Sequence, residues 1–230
     1  MQMGPLGTVG WFIGGAMSEL VFDGVFEGSD DQRLQDLWEL ILFQYGAQDS
    51  PNRLSILPLS IFYKGANTFS CFTGKAGEAL SLIFVLHEIC VELDTGSERD
   101  AHRIACFESL SSIFQICSSN GHFIPPPEAE AMLAACERFL VHYNWLSNFA
   151  IVSLRLDYNP TFKFHMLWHI CYHAQFQNPK VGWCFQFEDF VGECIRAAKG
   201  CMHGSSLSIV GRKVLENFVL ALQLALRHHE

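Results

Sequence analysis

The stretch "PPEAEAMLAACERFLVHYNWLSNFAIVSL", residues 126–154, decides the fold class. Pro127 is tolerated in the first turn of a helix, and the acidic side chains of Glu128 and Glu130 favour the positive end of the helix dipole. Apolar residues then recur every three or four positions, which is the period of a helix with one buried side. They are Met132, Cys136, Phe139, Tyr143 and Leu146. The pattern predicts a helix that reaches about Leu154 and is broken by "DYNP" at 157–160.

The same period predicts helices on both sides of this stretch. One begins after the capping residues at 29–30 and ends at Gly46, another follows Gly77, and a third covers about 98–117. The helix after Gly77 is expected to bury the side that carries Leu80, Ile83, Phe84, His87 and Val91. Towards the C-terminus, helices are predicted over 163–173, 187–199 and 207–226.

Extended structure is indicated only at 53–63 and at the N-terminus, and Pro58 argues against a central strand. We therefore expect a mainly α fold, a single-domain bundle or array of about six helices with little or no β-structure. Residues 29–230 would form this domain. Residues 1–28 are Gly-rich and apolar and lack the basic start of a signal peptide. We expect a partly buried, extended lead-in that is loosely attached, or a truncated element.

Composition limits the classes of function. Half of the 230 residues are hydrophobic, so a sizeable core is expected. The net charge of −9 argues against a chain that binds nucleic acid over its whole surface. Bases nevertheless exceed acids over 161–213, which indicates either an ordinary solvated face or a face that contacts nucleic acid. Its basic residues are Lys163, Lys180, Arg196, Lys199, Arg212 and Lys213.

The nine cysteines are scattered, odd in number and without a C-x-x-C pair. Most fall inside apolar helical patterns, where a free thiol behaves as a small hydrophobic group. The pattern predicts reduced cysteines in an intracellular protein of the cytoplasm or nucleus. No membrane association is predicted, because glycines interrupt the apolar N-terminal stretch too often for a membrane helix.

A histidine column marks "KFHMLWHICYH", residues 163–173, where His165, His169 and His173 are four residues apart. One straight helix cannot surround a metal ion with such a row, so a site would use two histidines and ligands from another element. Glu188 and Cys201 are the candidates for those ligands, with Cys184 and His203 also downstream. The competing interpretation is that the histidines are structural and make hydrogen bonds within the fold. A divalent metal ion is the one cofactor that the sequence suggests.

No catalytic motif is recognised. "GKAGE" at 74–78 lacks the spacing of a phosphate-binding loop, and no G-x-S-x-G occurs. No catalytic residue and no small-molecule substrate are therefore predicted. Aromatic residues mixed with bases in "TFKFHMLWH" could stack on nucleic-acid bases, although core packing explains them more simply.

Several strings together resemble the C-terminal portion of transposon-derived, transposase-like open reading frames of protist genomes. They include "TFKFHMLWH", with His165 and His169, and "FQFEDFVG", with Glu188, and the similarity extends over about residues 50–227. Transposases of the ribonuclease H-like class hold two metal ions with several acidic residues. The resemblance implies that Glu188 corresponds to one of these acidic residues. The other acidic residues of such a site are missing here, because no pair of strand-borne aspartates is evident.

We therefore expect a non-catalytic helical interaction domain, a remnant or accessory region of a transposase-like protein that contacts a protein or nucleic acid. Two alternatives stay open. One is a metal-dependent enzyme or metal-binding protein that uses His165, His169 and Glu188. The other is a structural, protein-binding helical module.

Overall fold

The computed structural model describes residues 7–23, 25–50, 52–182, 209, 211–213 and 215–216. The chain divides into two compact units, Met1–Gly182 and Trp183–Glu230. In the second unit the described residues are helical, and they lie within the helix predicted over 207–226. The helix predicted over 187–199 lies outside the described residues.

The first unit confirms the mainly α prediction. Its described residues form six α-helices and two short 3-10 turns, and none of them is in a strand. The helices are α1 Thr8–Phe22, α2 Asp30–Ala47, α3 Ala76–Glu92, α4 Glu98–Ser119, α5 Pro126–Val152 and α6 Phe162–His173. The stretch 53–63 is loop that contains the 3-10 turn Leu59–Ile61. None of the described helices has the length and apolar character needed to cross a bilayer.

Helix α1 corrects the expectation of an extended, loosely attached lead-in for residues 8–22. It is buried along almost its whole length, with Phe12, Ile13 and Leu20 inaccessible to solvent. Its glycines permit this burial. A Cβ atom on Gly14 would lie 2.5 Å from the Cα atom of Cys71, and one on Gly15 would lie 2.6 Å from the Tyr158 ring. The glycine positions thus let a loop and a ring approach the helix backbone.

The bounds of helices α2, α4 and α5 follow the prediction closely. Ser29 caps α2, where its hydroxyl accepts from the Gln32 amide and the Gln32 side chain accepts from the Ser29 amide. Helices α4 and α5 pack against each other. The predicted stripe of α5 is buried in full: Met132, Cys136, Phe139, Tyr143 and Leu146.

Helix α3 is where the predicted buried side is largely wrong. Ile83 is buried, but Leu80, Phe84 and His87 are half-buried and Val91 is exposed. The helix packs against α1, α2 and α4 together, so its buried surface is broader than one stripe. The buried residues are Ala76, Ala79, Ser81, Leu82, Ile83, Val85, Leu86, Ile89 and Cys90.

The C-terminus of α5 is set by a Schellman motif. Leu154 has a φ of 58°, and its amide donates to the carbonyl of Ile151 at 3.0 Å. The amide of Arg155 donates to the carbonyl of Ala150 at 2.8 Å. The helix therefore stops at Val152, just short of the predicted end, and the turn leads to the 155–158 segment that packs beside α1.

Candidate functional site

Helix α6, which carries the histidine column, has two contrasting sides. Phe164, Leu167 and Cys171 face the core together with Ala174 just past the helix end. The Phe164 ring stacks on Tyr143 of α5 with centroids 4.0 Å apart. This spacing of three and four residues anchors the helix and turns the remaining side chains outward.

The outward side carries a continuous run of rings, which we call the α6 ring ladder. Neighbouring rings in the run have centroids 4.5 to 6.0 Å apart. In order of contact its members are Phe162, His165, His169, Trp168, Tyr172, His173 and Phe176. Core packing explains Phe164 as expected from the sequence, but it does not explain the ladder.

The ladder is open to solvent at both ends. Phe162 is 72% exposed and Phe176 is 64% exposed, while Tyr172 between them is 43% exposed. Burying an aromatic side chain is favourable, so a surface that leaves such rings in water is typical of a contact site.

The charge around the ladder differs from that of the whole chain. Residues 158–182 contain Lys163 and Lys180 but no aspartate or glutamate, in a chain of net charge −9. Glu137 of α5 does reach the ladder, where its carboxylate accepts from the Trp168 indole at 3.2 Å. The surface is therefore aromatic and mildly basic.

The predicted nucleic-acid contacts do not all present free cations. Lys180 donates to the carbonyl of Ser118 at 3.3 Å, at the C-terminus of α4, and Arg212 pairs with Glu216 at 3.5 Å. Lys163 is exposed. Lys213 is also exposed, but it interacts with another group of the chain. Arg196 and Lys199 lie outside the described residues.

Two members of the predicted metal set do meet. The Nε2 atoms of His165 and His169 are 3.0 Å apart on the ladder. Glu188 and Cys201 lie outside the described residues. Across the part of the chain that the structure describes, no group of three or more His, Cys, Asp or Glu side chains is arranged to hold a metal ion.

Sequence reasoning missed a second imidazole pair between α4 and α5. The Nδ1 atoms of His102 and His142 are 2.7 Å apart, and the His102 ring stacks on Trp145 with centroids 4.1 Å apart. Burial, followed by the charges of His102 and Arg138, lowers the pKa of His142, against an opposing effect of Glu108. This pair lies at the seam of two packed helices and contributes to their contact.

A buried charge network joins α1, α4 and the 155–158 segment, and it was also missed. The Arg103 guanidinium lies 3.1 Å from Glu19 and 2.5 Å from Asp100, and all three side chains are buried. The Tyr158 hydroxyl donates to Glu19 at 2.6 Å, and the Thr95 hydroxyl donates to Asp100. One signal was available: Arg103 stands in line with Phe107, Leu110 and Phe114, on the apolar stripe of α4.

The network has the electrostatics of a structural cluster. Burial alone lowers the pKa of Arg103, but Cys90, Tyr158, Glu19 and Asp100 raise it and prevail, so the guanidinium stays charged. Burial, and next the Glu19 carboxylate, raises the pKa of Tyr158 well above its usual value. Asp23 extends the network through ion pairs with Arg99 and Arg155. These groups are held in fixed pairs rather than poised to exchange protons with a substrate.

Four of the described thiols are buried in a way that is unsuited to nucleophilic chemistry. Burial raises the pKa of Cys90 to about 11 and that of Cys117 to about 12. Cys106 and Cys136 are fully buried in the core. A thiolate is the reactive form, so these residues act as apolar core groups.

Comparison of the chain with models of known families, with curated proteins and with solved structures gives no match.

Proposed function

We propose that the protein is a non-catalytic helical interaction domain and that the α6 ring ladder is its partner-binding surface. The observation that carries the proposal is the exposure of Phe162 and Tyr172 on α6, and of Phe176 in the turn that follows it, while the opposite side of the helix is buried. Aromatic side chains are enriched at protein interfaces, where they dominate the binding energy.

The chemistry of the ladder indicates the class of partner. Residues 158–182 carry lysines and imidazoles but no carboxylate, and the Glu137 carboxylate that reaches the ladder already accepts from the Trp168 indole. A complementary ligand therefore combines apolar or aromatic side chains with acidic ones. We therefore propose a protein partner that presents an acidic, amphipathic segment. The resemblance to transposase-like frames stays a prediction about origin and does not enter this argument.

Nucleic acid is the less favoured ligand. Binding to a phosphate backbone depends on several free cations along the path of the strand. Lys180 already donates to the end of α4, and the exposed Lys163 follows Phe162 directly in the sequence.

Selection from a library of displayed peptides tests the proposal with the full chain. The target is the wild-type protein, and counter-selection uses a double variant, Phe162→Ser with Phe176→Ser. Both rings are exposed, so the variant is expected to retain its thermal unfolding midpoint. Phe43→Ser is the matched control, because Phe43 is 68% exposed on α2 and away from α6.

We expect the selection to enrich peptides that contain acidic and aromatic residues. These peptides should bind wild type and Phe43→Ser with equal affinity and bind the double variant at least about tenfold more weakly. Peptides that bind all three proteins equally would overturn the proposal. A parallel titration with single-stranded DNA at low salt tests the other ligand. If the DNA binds wild type and this binding is lost in Lys163→Ala, nucleic acid rather than a protein is the ligand of the ladder.

A further inference from the structure

We infer that His165 and His169 form an open chelating site for a divalent transition metal that prefers tetragonal geometry, such as Ni²⁺ or Cu²⁺. The two imidazoles lie one helical turn apart on α6, and their Nε2 atoms already face each other at 3.0 Å. Their rings are nearly perpendicular, with centroids 4.5 Å apart. This inference does not rest on the ladder's being a partner-binding surface.

The separation of the two nitrogens indicates the geometry of the ion. With each metal–nitrogen bond at about 2.0–2.1 Å, nitrogens 3.0 Å apart subtend about 94° at the metal. That angle is close to the right angle between neighbouring ligands of a tetragonal ion and narrower than a tetrahedral angle. The second pair, His102 and His142, is less suitable because its nitrogens are closer, at 2.7 Å, and His102 is held by stacking on Trp145.

The environment of the pair leaves room for further ligands. His165 is exposed and His169 is half-buried, so one side of the pair faces solvent. No third His, Cys, Asp or Glu of the described residues completes the set. The two histidines therefore supply two neighbouring ligand positions, and water or an exogenous donor supplies the others.

Metal binding requires one proton shift and no redox step. At 3.0 Å one Nε2 carries the hydrogen that the other accepts. When the metal binds, that ring passes its proton from Nε2 to Nδ1, so both Nε2 lone pairs point at the ion.

Calorimetric titration of the full chain with Ni²⁺ tests the site. The variants are His165→Ala and His169→Ala, and the matched control is His173→Ala, which removes an exposed histidine from the same helix and ladder. Paramagnetic broadening of the histidine ring resonances by Ni²⁺ gives a second readout. Thermal midpoints check that each variant is folded.

We expect the wild-type chain to bind one Ni²⁺ per chain at this site, and we expect His173→Ala to retain that binding. Either His165→Ala or His169→Ala should weaken it by at least about tenfold, because each removes one of two ligands. Titrations of these two variants that match wild type would overturn the inference. An equal loss of Ni²⁺ binding in His173→Ala would also overturn it. So would dimerisation of the protein at half an equivalent of Ni²⁺, because the metal would then be held between two chains.

Discussion

Replacement of Arg103 by methionine is the sharpest test of the buried charge network. The change keeps an unbranched side chain in the space but removes the cation that joins Glu19 of α1 to Asp100 of α4. The carboxylates are 2% and 3% exposed, so water cannot replace the lost partner. Breaking a buried ion pair by removing one partner costs about 3–5 kcal/mol.

Each carboxylate keeps a hydrogen bond after the substitution. The expected decrease in the free energy of unfolding therefore lies within the range of about 3–5 kcal/mol rather than above it. Glu19 still accepts from the Tyr158 hydroxyl, and Asp100 still accepts from Thr95. We therefore expect Arg103→Met to lower the free energy of unfolding by about 4 kcal/mol. Urea unfolding followed by far-ultraviolet circular dichroism measures this difference.

A surface pair provides the control. Arg53→Met removes a cation from the exposed pair with Asp49, which lies 3.5 Å away, and should cost about 1 kcal/mol or less. Combining Arg103→Met with Glu19→Gln should cost less than the sum of the single changes, since the double variant removes both charges. A loss below about 1 kcal/mol for Arg103→Met, or strict additivity with Glu19→Gln, would refute the reasoning.

Three further predictions concern the backbone and the pH dependence of stability. Gly14→Ala should destabilise the protein by about 1–3 kcal/mol, because the added methyl group meets the Cys71 backbone. Gly46→Ala should stabilise it slightly, because the space around Gly46 in α2 is open. The urea midpoints of the two variants test this difference. Leu154→Gly should raise the free energy of unfolding by about 0.5–1 kcal/mol, since Leu154 is 94% exposed in a left-handed conformation; an unchanged or lower urea midpoint would be contrary to this. Burial raises the pKa of Asp100, but hydrogen bonds from Thr95 and Ser97 and the charge of Arg103 outweigh it and lower the pKa overall. The stability that Asp100 contributes is therefore present above about pH 4 and lost as pH falls below it, and thermal midpoints of Asp100→Asn should depend less on pH in that range.

Helices with a polar side were predictable from the sequence. In α5 the stripe from Met132 to Leu146 has one buried side and a proline start, so period and capping chemistry agree. Helix α6 likewise follows from its spacing. The ladder on its outer side was not predictable, because spacing alone does not say which aromatic residues are covered by other elements.

Helix α1 was not predictable for a different reason. Its glycines lower helix propensity, and burial on all sides removes the alternation of polar and apolar residues that marks a surface helix. The same glycines are needed for the close approach of Cys71 and Tyr158. Here tertiary packing, which the sequence pattern does not display, outweighs local preference.

The buried network shows a related limit. Arg103 lies on the apolar stripe of α4, but its partner Glu19 is distant in sequence and lies on a helix that was not predicted. A charged residue on a buried stripe implies a buried partner, since an unpaired charge in the core is costly. The identity of that partner depends on how α1 and α4 pack.

The most direct test of the ring ladder as a binding surface is the affinity of one selected acidic, aromatic peptide for four forms of the full chain. These are wild type, Phe162→Ser, Phe176→Ser and the control Phe43→Ser. We predict that each ladder substitution weakens binding while the control leaves it unchanged, because Phe162 and Phe176 are the two end rings of the ladder and Phe43 lies on α2. Equal affinity of the peptide for all four forms would contradict the account.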